Sequence, residues 1–308
     1  MKNGEKWLDI DGHPIEAHGG CRLWHDGKLY WYGENRTGDS YVSCYVQVEN
    51  GWKFLNNVLT VHSEKQPTRV KSEMSLRTKV ASDEFIHVII ERPKVIYNKK
   101  TKKFVMWMHY ETGVDRKSAC CAVATCDTPD GDFIYHGSFN PMGHDSRDCT
   151  LYQEGDKVYF ISSSRKNLDL HVYLLAEDYL NVAKLVNVLF SNELREAPAI
   201  IQKDGKCLMI TSYCTGWSPN QSTFSVSDSI EGIFSINQNI GDETTYLSQS
   251  AFLYENEKGE IIYFGDRWGG TEFSQTKQFD YNKSGYCAYK VEFDGEKATL
   301  VYSDEAYL

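Results

Sequence analysis

One pattern recurs five times along the chain and restricts its fold more than any other feature. An apolar segment runs into a short polar turn and returns as an aromatic segment. The copies are GGCRLWHDGKLYWYG, turning at Asp26-Gly27; ERPKVIYNKKTKKFVMWMH, turning near Lys100-Thr101; RDCTLYQEGDKVYFISSS, turning at Gly155-Asp156; REAPAIIQKDGKCLMITSY, turning at Asp204-Gly205; and SQSAFLYENEKGEIIYFGDRW, turning at Lys258-Gly259. Asp-Gly and related pairs supply the positive φ that tight hairpins need. Each hairpin is followed by a second strand pair, as SYVSCYVQVENGWKFLNNVL follows the first. Tyr, Val, Ile, Phe and Trp alternate with polar residues throughout, which is strand patterning. Four strands per unit and five units predict an all-β, five-bladed β-propeller. A β-sandwich is the alternative, but a period of roughly 40–60 residues favours the radial arrangement. Helical periodicity is weak, and its best short candidate spans 177–184. The 7 Pro and 23 Gly are scattered and form no linker, so residues 1–308 read as a single domain.

Charge and composition remove several classes of function. The net charge is −10, from 33 basic and 43 acidic residues, and no basic run interrupts it. Such a chain is a poor partner for nucleic acid or an anionic membrane. No apolar run approaches the roughly 20 residues of a membrane span. The N-terminal stretch MKNGEKWLDIDGHP lacks the apolar core of a secretion signal. Nine Cys is an odd number, no CxxC pair occurs, and Cys44, Cys207 and Cys287 lie inside apolar runs. Reduced, buried thiols and a cytoplasmic location are therefore expected, although a removed leader would leave no trace. Cys120 and Cys121 would point to opposite faces of one strand, which argues against a shared ion with Cys126. No metal and no cofactor are expected.

In a propeller the first strand of each blade lines the central axis, so its first residues ring one mouth of the channel. In order, those residues are His18-Gly19, Glu91, Asp148, Glu196 and Gln249. The fourth poses the sharpest question, because Glu196 stands beside Arg195 at the start of an apolar strand. Charge there is costly unless it is paired or used. Carboxylates converging on one concave site are what acid–base chemistry requires. The returning strands bring Tyr32, Trp107, Tyr110, Trp217 and Trp268 toward the same end. Sugars offer C–H faces to aromatic rings and hydroxyls to carboxylates, so such a pocket suits an oligosaccharide or polysaccharide.

At these residues the chain resembles glycoside hydrolase family 43, and within it the branch of exo-β-1,3-galactanases. The motifs are DGHPIEAHGG with LYWYGE, ERPKVIYN, GHDSRD, REAPAI with CTGWSPN, TTYLSQ and GDRWGG, in order over almost the whole chain. The resemblance implies a five-bladed propeller and an inverting, exo-acting hydrolase. Related branches act on arabinofuranosides or galactofuranosides, and a catalytically silent sugar-binding propeller is the rival of a different class. It further implies that Glu196 is the general acid and that Asp148 tunes it and orients the sugar. The usual base is an Asp in blade one, where this chain reads AHGG, residues 17–20. The galactanase branch lacks that Asp too. The resemblance then points to Gln249 as an imidic-acid base, with Glu91 also essential. Asn167, Thr215 and Trp217 are implied as substrate contacts.

The residues themselves leave rival readings beside these. Glu91 could pair with Arg92 or Arg147, and Asp145 competes with Asp148 for the pocket. A neutral amide is a weak base, so His18 is the second candidate for activating water. Tyr110 and Trp268 are placed as sugar platforms by position alone.

Overall fold

The computed structural model describes residues 1–63, 75–80, 82 and 84–308. Five four-stranded antiparallel sheets follow one another along the chain, each a simple meander. The innermost strands are His18–His25, Ile89–Asn98, Cys149–Glu154, Arg195–Lys203 and Gln249–Glu255. All five hairpins turn where the sequence places them. A separate two-stranded sheet, Arg77–Lys79 with Phe85–His87, connects blades one and two.

Strand alternation explains how the blades close into a ring. Successive side chains leave a strand on opposite faces, so each blade feeds two cores. Met106 and Met108 pack toward blade one with Cys21, Tyr32 and Cys44. Their strand neighbours Val105 and Trp107 pack toward blade three with Leu151 and Phe160. Blade three meets blade four through Tyr159, Ile161, Ile200 and Met209. Blade four meets blade five through Leu208, Ile210, Tyr263 and Tyr289. The last seam joins the two ends of the chain: Trp7 and Trp31 pack with Ile262, Phe264 and Tyr286. Truncating one such buried aromatic to Ala costs about 3–5 kcal/mol. The N-terminal segment also hydrogen-bonds along blade five, with Gly4 N donating to Tyr286 O and Asn3 N to Asp304 O.

Cys120 and Cys121 do point to opposite faces, one into each of the cores flanking blade two. The best short helical candidate, around 177–184, is not a helix. Residues 177–181 are turn and bend, and Val182–Leu189 is the outer strand of blade three. An outer strand faces solvent on one side, which blurs its alternation into something like a helical period. No helix among the described residues is long and apolar enough to cross a membrane.

Candidate active site

A common backbone device turns the first residues of the inner strands toward the axis. The pairing register slips just after His18, Glu91, Glu196 and Ser250. The first three slips carry a left-handed residue: Gly19 (φ 56°), Arg92 (φ 56°) and Ala197 (φ 51°). Such bulges bend the strand and re-aim a side chain. Glu91, Glu196 and Gln249 are brought to the axis in this way; Asp148 reaches it from just before the unslipped strand Cys149–Glu154, and the four line one cavity of about 240 Å³, joined by Asn167, Trp217 and Trp268.

Glu196 accepts hydrogen bonds from Gln249 Nε2 on Oε1 at 3.0 Å and from Asn167 Nδ2 on Oε2 at 3.2 Å. Burial, and then the Asp148 charge, push its pKa up to about 7. Arg195 is not its partner, because that guanidinium turns to Thr211 and Thr223. Asp148 lies 3.1 Å from Arg92 Nε. Arg92 also donates to Gln249 Oε1 and so ties blades two, three and five together. Gln249 Oε1 receives a second donor, Trp268 Nε1, at 2.8 Å. Its Nε2 donates to Ser212 Oγ as well as to Glu196. All four hydrogen-bonding positions of this amide are filled, and the two donors fix which atom is oxygen.

Glu91 sits in a different setting. Arg116 grips it with two hydrogen bonds of 3.0 and 2.9 Å, and Arg36 adds a third at 2.9 Å. His109 Nδ1 lies 3.1 Å away as an ion-pair partner, outside hydrogen-bonding geometry. Burial alone would raise the Glu91 pKa, but His109 and the two arginines hold it well below the usual range. Neither Arg92 nor Arg147 is its partner: Arg92 takes Asp148 and Arg147 takes Glu111. Asp145 is spent on the turn after Ser164, where it accepts from Arg165 N and Lys166 N. Glu91, His109 and Asp148 offer ligand atoms within 4.8 Å of one another. Three guanidinium groups already balance those carboxylates, so the donor set does not fit a cation as it stands.

The arrangement gives a proton donor poised near neutrality, a carboxylate locked in its ionised form and an aromatic wall. Neither a family model nor a curated protein sequence matches the chain, but solved structures do. An exo-β-1,3-galactanase from Clostridium thermocellum is 37% identical with a TM-score of 0.86, over 99% of this chain and 65% of that one. One from Phanerochaete chrysosporium, solved as a glutamate-to-glutamine variant with β-1,3-galactotriose, is 30% identical with a TM-score of 0.82. It is matched over 99% of this chain and 67% of its own. A family 43 β-1,3-galactosidase, solved with galactodeoxynojirimycin, is 30% identical with a TM-score of 0.83 and is matched over all of both chains. The chain belongs to glycoside hydrolase family 43. It spans about two thirds of the Clostridium protein's length.

Within this family 43 chain, five residues picked from sequence fall outside the pocket. Tyr110 is 1% exposed, belongs to the core between blades one and two, and donates its hydroxyl to Ser75 O. Its strand neighbour His109 occupies the pocket instead. Tyr32 and Trp107 are likewise buried in seams between blades. Thr215 is exposed and turns its hydroxyl to Ser218 O and Asn220, stabilising the loop; Cys214 lines the cavity in its place. His18 is 1% exposed, stacked on Tyr286, and bound through Nδ1 to Asp266 at 2.9 Å. It supports the site from behind and does not line the cavity.

Sequence reasoning also missed Glu34, His109, Arg36 and Arg116. The turns by themselves point one residue away from the first two: regular pairing would set Asn35 opposite His18 and Tyr110 opposite Glu91, and the slip in each inner strand sets Glu34 and His109 there instead. The glycines of AHGG also acquire a reason. A Cβ at Gly19 would meet Glu34 Oε1 at 3.0 Å, and one at Gly20 would meet Tyr32 O at 1.8 Å. Gly20 has no room for a side chain, and at Gly19 a side chain would be crowded by Glu34 and strained by the left-handed backbone (φ 56°).

Proposed function

We propose that this chain is an inverting, exo-acting glycoside hydrolase that releases galactose from β-1,3-linked galactan. The observation that carries the reading is Glu196: a carboxyl whose pKa is raised to about 7, in a pocket walled by Trp217 and Trp268. A general acid must hold its proton until the leaving oxygen needs it, and burial beside Asp148 favours that state. The likeness to galactanases and a β-1,3-galactosidase at 30–37% identity supports galactose as the sugar. Glu91, held ionised, accepts hydrogen bonds from sugar hydroxyls; Asn167 orients the acid; Trp217 and Trp268 pack against the ring.

We assign water positioning to Gln249. His18 is buried behind Trp268 and offers no face to the cavity. An inverting pair normally stands about 6.5–9.5 Å apart, whereas Gln249 Nε2 is 3.0 Å from Glu196. That contact therefore opens when substrate enters, and the freed Nε2–H donates to the attacking water's oxygen and orients it; the water loses its proton to solvent after attack, while Glu196 passes its own to the leaving galactan oxygen. The test is hydrolysis of β-1,3-galactan, with the anomer of the released galactose followed by NMR. Initial release of α-galactose supports the reading, and β-galactose or no release sinks it. Gln249→Ala should abolish turnover while β-1,3-galactotriose still binds, and His18→Ala should retain turnover. An active Gln249→Ala variant would move the role to Glu91.

A further inference from the structure

The seam between blades one and five carries a second cavity, of about 390 Å³, at the end of the ring opposite the active site. Tyr254 lines it five residues down the inner strand from Gln249, about 17 Å at 3.3 Å per residue. Its floor is Arg22, which is 6% exposed and caged by the rings of Tyr254, Phe264 and Trp52 at 4.3, 4.8 and 5.0 Å. Arg22 and the Tyr254 hydroxyl lie close enough to stabilise one another, but Nε and Nη2 of Arg22 and the Tyr254 hydroxyl are buried without a partner in good hydrogen-bond geometry. Among the described residues no carboxylate pairs with Arg22, and burial lowers its pKa, offset in part by Tyr254. A buried cation with unused donors is an expensive feature for a structural residue. The wall beside it is Trp24, which is 60% exposed at the hairpin tip. Gln47, Asn256, Glu257 and Lys258 are among the polar groups of the rim.

We propose that this cavity is a second carbohydrate site, which holds one sugar ring of a chain at a distance from the active site. An open indole offers a platform for the C–H face of a pyranose. Arg22 supplies donors to hydroxyl oxygens, and Glu257 accepts from hydroxyl hydrogens. The rim carries both signs, Glu257 beside Lys258 with Glu255 already paired to Lys203, so neither a carboxylate nor a cation finds a field of one sign around Arg22. Neutral vicinal hydroxyls, at once donors and acceptors, suit both signs. The choice of galactose oligomers as probe rests on the function proposed above, but the site itself does not.

The experiment uses the full chain as Glu196→Gln, which does not consume its ligand, titrated calorimetrically with β-1,3-galactotriose. Two binding events are expected, and one when Trp24→Ala is added. In the otherwise wild-type protein, Trp24→Ala should leave turnover of an aryl β-galactoside unchanged. It should weaken retention in a β-1,3-galactan affinity gel about tenfold, the scale of one lost aromatic contact. Trp24 is exposed, so its removal leaves the core intact. A single binding event with and without Trp24 overturns the proposal. Trp24-dependent binding of galacturonate but not galactotriose also overturns it, as an anion site. A protein that hydrolyses no galactoside yet loses one of two binding events with Trp24 refutes the function and leaves this site standing.

Discussion

Two corners of one pocket hold the same side chain in opposite states. At blade two, Glu91 is surrounded by Arg36, Arg116 and His109, and is held ionised. At blade four, Glu196 has two amides and the Cys214 thiol in contact and no cation bonded to it; burial and the Asp148 charge outweigh these and the more distant Arg92, and its pKa rises to about 7. Both are withdrawn from bulk water, so burial by itself does not separate them. Partners do: cations favour the carboxylate, whereas amides and a like charge leave the desolvation penalty uncompensated. One pocket thereby contains a fixed hydrogen-bond acceptor and a group able to hold a proton near neutrality, and a general acid in glycoside hydrolysis needs the second of these properties.

The strongest way to break this contrast is to remove the donor. Glu196→Gln keeps the shape and loses the proton, so kcat on an unactivated β-1,3-galactan should fall about 10²–10⁴-fold. The fall should be smaller on aryl galactosides with good leaving groups, and near-native turnover of the polymer would refute the assignment. Next comes pH. The acid works only when protonated, so kcat/KM should decline about tenfold per unit above pH 7. In Glu196→Gln that limb should vanish from the residual activity; a limb that persists belongs to another group.

A subtler change sharpens the contrast from within. Asn167→Asp places a like charge against Glu196 and suits the same left-handed backbone (φ 65°). The basic limb should move up by about one pH unit. An unmoved limb would mean that Asn167 does not govern the acid.

The smallest expected effect is on stability. A carboxyl whose folded pKa is raised binds its proton more tightly in the folded state. Stability is then lost as pH rises from about 4.5, the unfolded value, through about 7. Glu196→Gln removes that penalty, so the variant should be more stable than wild type by about 1–2 kcal/mol above pH 7, allowing for the carboxyl's access to the pocket. The gain should disappear near pH 4, and thermal melts at the two pH values measure it. A gain that does not change with pH would have another origin.

Much of this molecule was legible before any coordinates. Strand alternation, five turn signals and their spacing determine five blades, because a period of two and a hairpin turn are local properties of the chain. The same pattern placed Glu91, Asp148, Glu196 and Gln249 at one end of the axis, since each begins an inner strand. Side-chain direction beside a bulge is a different matter. One slipped residue exchanges the two faces of a strand, and nothing local in REAPAI or ERPKVI announces the slip. Regular pairing from the Lys100-Thr101 turn sets Tyr110 opposite Glu91, and that single step of parity sets His109 there instead. Which cations meet Glu91 was equally hidden, because Arg36 and Arg116 arrive from loops 55 and 25 residues away in sequence. The chain itself specified the ring and the residues that open onto its axis. Only the packed ring decided which carboxyl keeps its proton, because that depends on charges brought together across blades.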